Sequence, residues 1–139
     1  MVDPDVLLRK AAHVEHHVAR LRKRRPLDAQ TLQADEDLRN TVLMDLLQAI
    51  QPCIDLAMHM CAHEALGVVD GPARAFAVLA REGIMPTDLS VRLTGAAGLR
   101  NLVVHQHGDL LTDRVAAALH LDLGDLTLFV RCLRDHARG

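Results

Sequence analysis

The stretch 38-LRNTVLMDLLQAIQPCIDLAMHMCAHEALG-67 decides the fold. Leu38, Val42, Leu46, Ala49, Cys53, Leu56 and Met60 recur at steps of three and four, the period of one helix face. Leu43, Leu47, Ile50 and Ile54 widen that stripe, so the helix is apolar on two faces and belongs at the centre of a bundle. The pattern runs from about Asp28 to Leu66. Pro52 removes one backbone donor, which predicts a kink within 48-QAIQPCID-55. Gly67 is the expected stop.

Outward from this element, the other segments also read as helices. Asp3 is an N-cap followed by Pro4 in the first turn, and Leu7, Ala11, Val14, Val18 and Leu21 form a narrow seam. The basic run 22-RKRR-25 suits the negative end of that helix, and Pro26 stops it; this explains the run without any nucleic-acid role. A loop, 67-GVVDGP-72, leads to a short helix at 73-ARAFAVLARE-82. A fourth helix covers 85-MPTDLSVRLTGAAGLRNLVVHQ-106, with Thr87 or Asp88 as its cap. Its interior Gly95 and Gly98 each cost about 1 kcal/mol relative to Ala, which predicts another helix crossing closely at 95-GAAG-98. A last helix starts near Thr112 and buries Val115, Leu119, Leu123, Leu126, Val130 and Leu133. No strand-like alternation stands out. The expectation is a single all-α domain over residues 1–139, a compact bundle of about five helices with a long kinked central one.

Composition agrees. Half of the residues are apolar, yet Trp and Tyr are absent and Phe76 and Phe129 are the only aromatics. Such a core is filled by Leu, Val and Ala, which favours helix packing over sheet. The formal net charge of −2 gives no global attraction to nucleic acid, so any RNA contact needs a local patch. Cys53, Cys61 and Cys132 cannot all pair and match no zinc spacing, and so read as reduced thiols. The opening MVDPDVLLRK lacks a signal-peptide core, and no apolar run approaches the roughly 20 residues needed to span a bilayer. A cytoplasmic protein with no membrane contact is the expectation.

Chemistry concentrates in 98-GLRNLVVHQHGDLLTDR-114. Asn101 and His105 are four apart and share a helix face, whereas Arg100 and His105 are five apart, about 140° around an ideal helix. A terminus at Gly108 would leave His105 and His107 among unpaired carbonyls, where the imidazolium form is favoured. A histidine able to exchange a proton, beside a permanent guanidinium cation, is the equipment for cleaving an RNA phosphodiester without metal or cofactor. The attacking group is then the substrate's own 2′-OH. The same residues also suit an ordinary helix terminus, with Asn101 bonding a loop carbonyl.

Here the chain resembles a known family. The segment 98-GLRNLVVH-105 resembles the Arg-Asn-x-x-x-His signature of HEPN domains. Upstream, 49-AIQPCIDLAMHM-60 and 75-AFAVLARE-82 resemble the HepT-like branch in the same order, over about residues 35–130. The resemblance implies a helical bundle that dimerises, placing Arg and His of both protomers in one cleft. It implies a metal-independent ribonuclease toxin paired with a minimal nucleotidyltransferase antitoxin. It assigns Arg100 and His105 as the catalytic pair and Asn101 as its polar support. In the family the antitoxin can nucleotidylate a Tyr two residues after the motif His. This chain has His107 there and no tyrosine, so masking by a bound antitoxin is the remaining route; His107 is a candidate RNA contact. A non-catalytic helical module that partners a nucleotidyltransferase is the alternative.

Other constellations carry less. His59 and His63 in 59-HMCAH-63 have metal-chelating i,i+4 spacing but no evident third ligand. Asp55, one turn earlier, fits a core hydrogen bond or a role in orienting a partner. The cluster 13-HVEHH-17 reads as a solvated helix face.

Overall fold

The structure is a computed structural model, and it describes residues 3–67, 69–105, 109–121 and 123–139. These fold as seven helices: α1 (Pro4–Lys23), α2 (Ala29–Ala34), α3 (Glu36–His63), α4 (Pro72–Arg81), α5 (Thr87–His105), α6 (Asp109–Leu121) and α7 (Leu123–Arg138). The all-helical expectation holds among the described residues; the count of five does not.

The two extra helices arise where continuous apolar patterns are divided. Asp35 has extended backbone (φ −121°, ψ 100°), and its side chain accepts a hydrogen bond from the Leu38 amide, capping a new helix. Asp28 does the same for α2 through the Thr31 amide. Two aspartate caps seven residues apart thus cut a segment whose hydrophobic period is uninterrupted, because capping satisfies amides that a helix start leaves open. At the other end, the expected last helix runs as α6 and α7, and α6 begins at Asp109 rather than near Thr112.

α3 is the central element. It packs most extensively on α1 and also touches α2, α4, α5 and α7, while α4 lies along α5. It continues through Pro52, which is itself buried. Helix ends behave as local chemistry dictates. Ala65 takes a left-handed φ of 55° after α3, and the Leu66 amide returns to the Cys61 carbonyl at 3.0 Å. Gly83 (φ 75°) allows the same closure after α4, with the Ile84 amide on the Leu79 carbonyl at 3.0 Å.

The core contains the seam read from α1: Leu7, Ala11, Val14, Val18 and Leu21 are all buried. Phe76 of α4 and Phe129 of α7 meet edge to face at its centre, with ring centroids 5.5 Å apart. Among the described residues α3 is long and apolar enough, by length and composition, to cross a membrane (mean hydropathy 1.2), against the expectation that no apolar run approaches that length. Much of that apolar surface is buried against the neighbouring helices instead (56% of the window).

One packing expectation is corrected. A Cβ placed on Gly95 or Gly98 would meet nothing within 4 Å, so among the described residues no helix crosses closely there. Gly95 instead borders a cavity of about 250 Å³ walled by Leu46, Ile50, Leu99 and Leu126, with Arg92 and Arg114 at its edge.

Candidate active site

The C-terminal half of α5 presents the candidate residues. Leu99 and Val103 point into the core, which fixes the rotation of the helix. That rotation leaves Arg100 half-buried and turns Asn101 and His105 to solvent. The Arg100 side chain is held on two sides: Nε donates to Gln51 Oε1 at 2.8 Å, and an Nη donates to Asn101 Oδ1 at 2.5 Å. Two of its five N–H donors are engaged in this way, and a guanidinium so oriented still has donors for an anionic oxygen.

Gln51 links this corner to the rest of the bundle. While its oxygen accepts from Arg100, its Nε2 donates to Asp55 Oδ1 at 2.8 Å. Asp55 in turn lies 3.7 Å from Lys10 Nζ on α1. A polar chain therefore runs Asn101–Arg100–Gln51–Asp55–Lys10 across three helices. Asp55 is exposed, so the core hydrogen bond expected for it is absent; its carboxylate instead accepts from Gln51.

His105 is the last residue of α5 and makes no hydrogen bond with any described residue. The chain thus brings Arg100 and Asn101 into contact and leaves His105 open to water on the Asn101 side of the helix. No hydrogen bond joins Arg100 to His105, as their five-residue offset implies. His107, the fourth candidate, lies outside the described residues.

A second polar knot sits on the α1–α3 seam. Asp45 is 2% exposed, and its Oδ1 accepts from His17 Nδ1 at 2.7 Å and from Arg20 Nε at 2.8 Å. Burial pushes this carboxyl up, but the bonds and charges of Arg20 and His17 outweigh it and hold it below the ordinary Asp range. The reading of 13-HVEHH-17 as a solvated face is therefore corrected at His17, whose ring is largely enclosed against Asp45. His13 Nε2 bonds Gln48 Oε1 at 2.7 Å, and Glu15 pairs with Arg134 at 3.1 Å.

The remaining candidates are quieter. His59 and His63 stack with centroids 4.2 Å apart, and among the described residues no three His, Cys, Asp or Glu side chains are grouped to hold a metal. All three cysteines are free; burial pushes each thiol up, most strongly that of Cys53. In the basic run, Arg25 reaches the Leu119 carbonyl at 3.4 Å, a tie between α1's end and α6.

Sequence reasoning missed Gln51 and Asp45. An i,i+4 Gln–Asp pair was a visible signal for Gln51. Its bond to Arg100, 49 residues away, was not.

The family model described as "Ribonuclease HepT-like" matches residues 14–133. The chain is 26% identical over 130 residues to the mRNA nuclease HepT of Shewanella oneidensis, covering 94% of this chain and 97% of that protein. Among solved structures it resembles the tri-AMPylated Shewanella oneidensis HEPN toxin in complex with its MNT antitoxin, with a TM-score of 0.85, 26% identity and coverage of 96% and 99% of the two chains. A toxin–antitoxin structure with AMP-PNP gives a TM-score of 0.84 at 26% identity, covering 94% of this chain and 99% of that one.

Proposed function

The chain belongs to the ribonuclease HepT-like family, and from that premise we propose that it is a metal-independent endoribonuclease, the toxin of a toxin–antitoxin pair, with Arg100 and His105 as its catalytic residues. The observation that carries the reading is the treatment of Arg100. A guanidinium braced by Gln51 and Asn101 at a solvent edge, next to an uncommitted imidazole on the same helix, suits an anionic transition state.

In the reaction, the 2′-oxygen of the substrate ribose attacks phosphorus while its proton passes to a base. The bond from phosphorus to the 5′-oxygen breaks, and that oxygen takes up a proton from an acid. His105 serves these proton transfers, and Arg100 holds the phosphorane oxygens. Asn101 supports Arg100, and His107 is a contact for RNA. Two copies of the chain around one cleft would supply two imidazoles, one for each proton transfer. Exposed Val104, beside His105, supports such an apolar contact between copies (53% exposed).

A minimal nucleotidyltransferase is the partner that this reading assigns, following the toxin–antitoxin complex of the Shewanella oneidensis relative. With His107 where the family carries tyrosine, and no tyrosine in the 139 residues, neutralisation through tyrosine is closed to this chain. Masking by the bound antitoxin takes its place.

The test is expression of His105→Ala and Arg100→Ala beside the parent chain. Both are expected to abolish growth arrest and cleavage of bulk RNA while far-ultraviolet circular dichroism is unchanged. Growth arrest with intact RNA, or cleavage retained by both variants, would overturn the reading.

A further inference from the structure

Two open grooves lie along the same α1–α3 seam. One, of about 470 Å³, is bordered by Arg9, Lys10 and His13 of α1 and by Gln48, Gln51 and Asp55 of α3. The other, of about 400 Å³, continues along the same two helices past His16, His17 and Arg20, facing Asn40, Thr41, Met44 and Asp45. Their α1 residues fall at steps of three and four and so occupy one helix face, as do their α3 residues. From Thr41 to Asp55 the track spans about 21 Å at 1.5 Å per residue.

Charge sets this face apart. The chain as a whole carries 16 Lys and Arg against 18 acids, whereas the two grooves are lined by Arg9, Lys10 and Arg20 against Asp45 and Asp55, with His13, His16 and His17 in addition. Lys10 lies 3.7 Å from Asp55 and Arg20 bonds Asp45, so Arg9 is the groove cation with no acid partner among the described residues. The global balance gives a polyanion no attraction, so the small local excess on this face, with its three histidines, is where one would be drawn. Arg9 is exposed at the groove's edge, and among the described residues its one side-chain bond is a long one, 3.4 Å to the Asp5 carbonyl. The track also ends in the right place: Gln51 borders the larger groove and holds Arg100 at 2.8 Å.

We infer that this α1–α3 groove is a binding site for the phosphate backbone of a single RNA strand, leading several nucleotides from the reacting phosphate at Arg100 along Arg9, Lys10 and His13. The inference rests on the ribonuclease reading and extends it from the cleaved bond to the strand on one side of it. Phosphate contacts of this kind position a strand without reading its sequence. Asn40 offers an amide group that a base edge can meet, while the Gln48 amide oxygen is taken by His13 at 2.7 Å.

The test measures binding separately from cleavage. Full-length His105→Ala protein is titrated with a fluorescent 12-nucleotide single-stranded RNA and compared with the same protein carrying Arg9→Glu. An Arg74→Glu control makes the same charge change on exposed α4. Arg9→Glu is expected to weaken binding at least tenfold while Arg74→Glu changes it less than twofold. Arg9→Ala should lower the slope of log affinity against log salt by about 0.7, the value for one single-strand phosphate contact. Equal affinity and equal slope for the Arg9 variants would overturn the inference, as would an Arg9→Glu loss that appears only with the nucleotidyltransferase partner or with loss of the dimer by sedimentation. If the parent chain binds RNA through Arg9 yet cuts none, the groove stands and the ribonuclease reading falls.

Discussion

Gln51 is the residue on which the geometry of the site most depends. Its amide accepts from Arg100 and donates to Asp55 at the same time, both at 2.8 Å. Only an amide of this length performs both tasks, since a carboxylate has no donor and a leucine has neither group. Gln51→Leu removes the hydrogen bond that fixes the Arg100 guanidinium. Hydrogen bonds to charged groups contribute about 1.5–3 kcal/mol, and this one is half-exposed, so about 1–2 kcal/mol is the reasonable share. Expressed in the transition state, that predicts a fall in kcat of roughly 5- to 30-fold. KM should move little, because a loosened Arg100 still meets the phosphate in the ground state. Gln51→Glu keeps the acceptor and gives it a charge, while Asp55 can turn to Lys10, already 3.7 Å away. Its kcat should stay within about threefold of the parent, on the same hydrogen-bond scale. The assay is steady-state cleavage of a defined RNA, with thermal unfolding of each variant as a control. Equal kcat for Gln51→Leu and the parent would refute the bracing of Arg100, and so would Gln51→Glu falling as far as Gln51→Leu.

Two further outcomes follow from the packing. The depressed Asp45 carboxyl contributes stability that is present above its unfolded value, about 3.9, and lost as pH falls through its lower folded value. Urea unfolding should therefore show Asp45→Asn weaker than the parent near neutrality by about 1.5–3 kcal/mol, with the gap closing in acid; a gap independent of pH would refute the assignment. Gly95→Ala adds a methyl group where nothing lies within 4 Å, so it should stabilise by about 0.4–1 kcal/mol. A lowered melting temperature would show that another backbone approaches that helix face.

Much of this molecule was legible from spacing alone, and the failures share a cause. The α1 seam and the α7 stripe were read correctly because helical period reports which face is buried. The α2–α3 break was not, since Leu32 and Leu38 sit on either side of Asp35 and the apolar period runs across the cap. Asp45 was hidden inside an apolar stretch, and its partners His17 and Arg20 lie on another helix. Gly95 and Gly98 suggested a crossing because glycine in a helix usually compensates for its cost by close approach; here the space is open. For the site, Arg100, Asn101 and His105 were visible as residue types at a helix end, but what orients Arg100 comes from α3 and is a tertiary fact.

The most direct measurement of the central claim is cleavage in excess EDTA of two otherwise identical RNAs, one of them with 2′-deoxyribose at the mapped cleavage position. The all-ribose strand is expected to be cut, leaving a 2′,3′-cyclic phosphate, and the deoxy strand to stay intact. Equal cutting of both strands, or cutting of the ribose strand that EDTA abolishes, would contradict it.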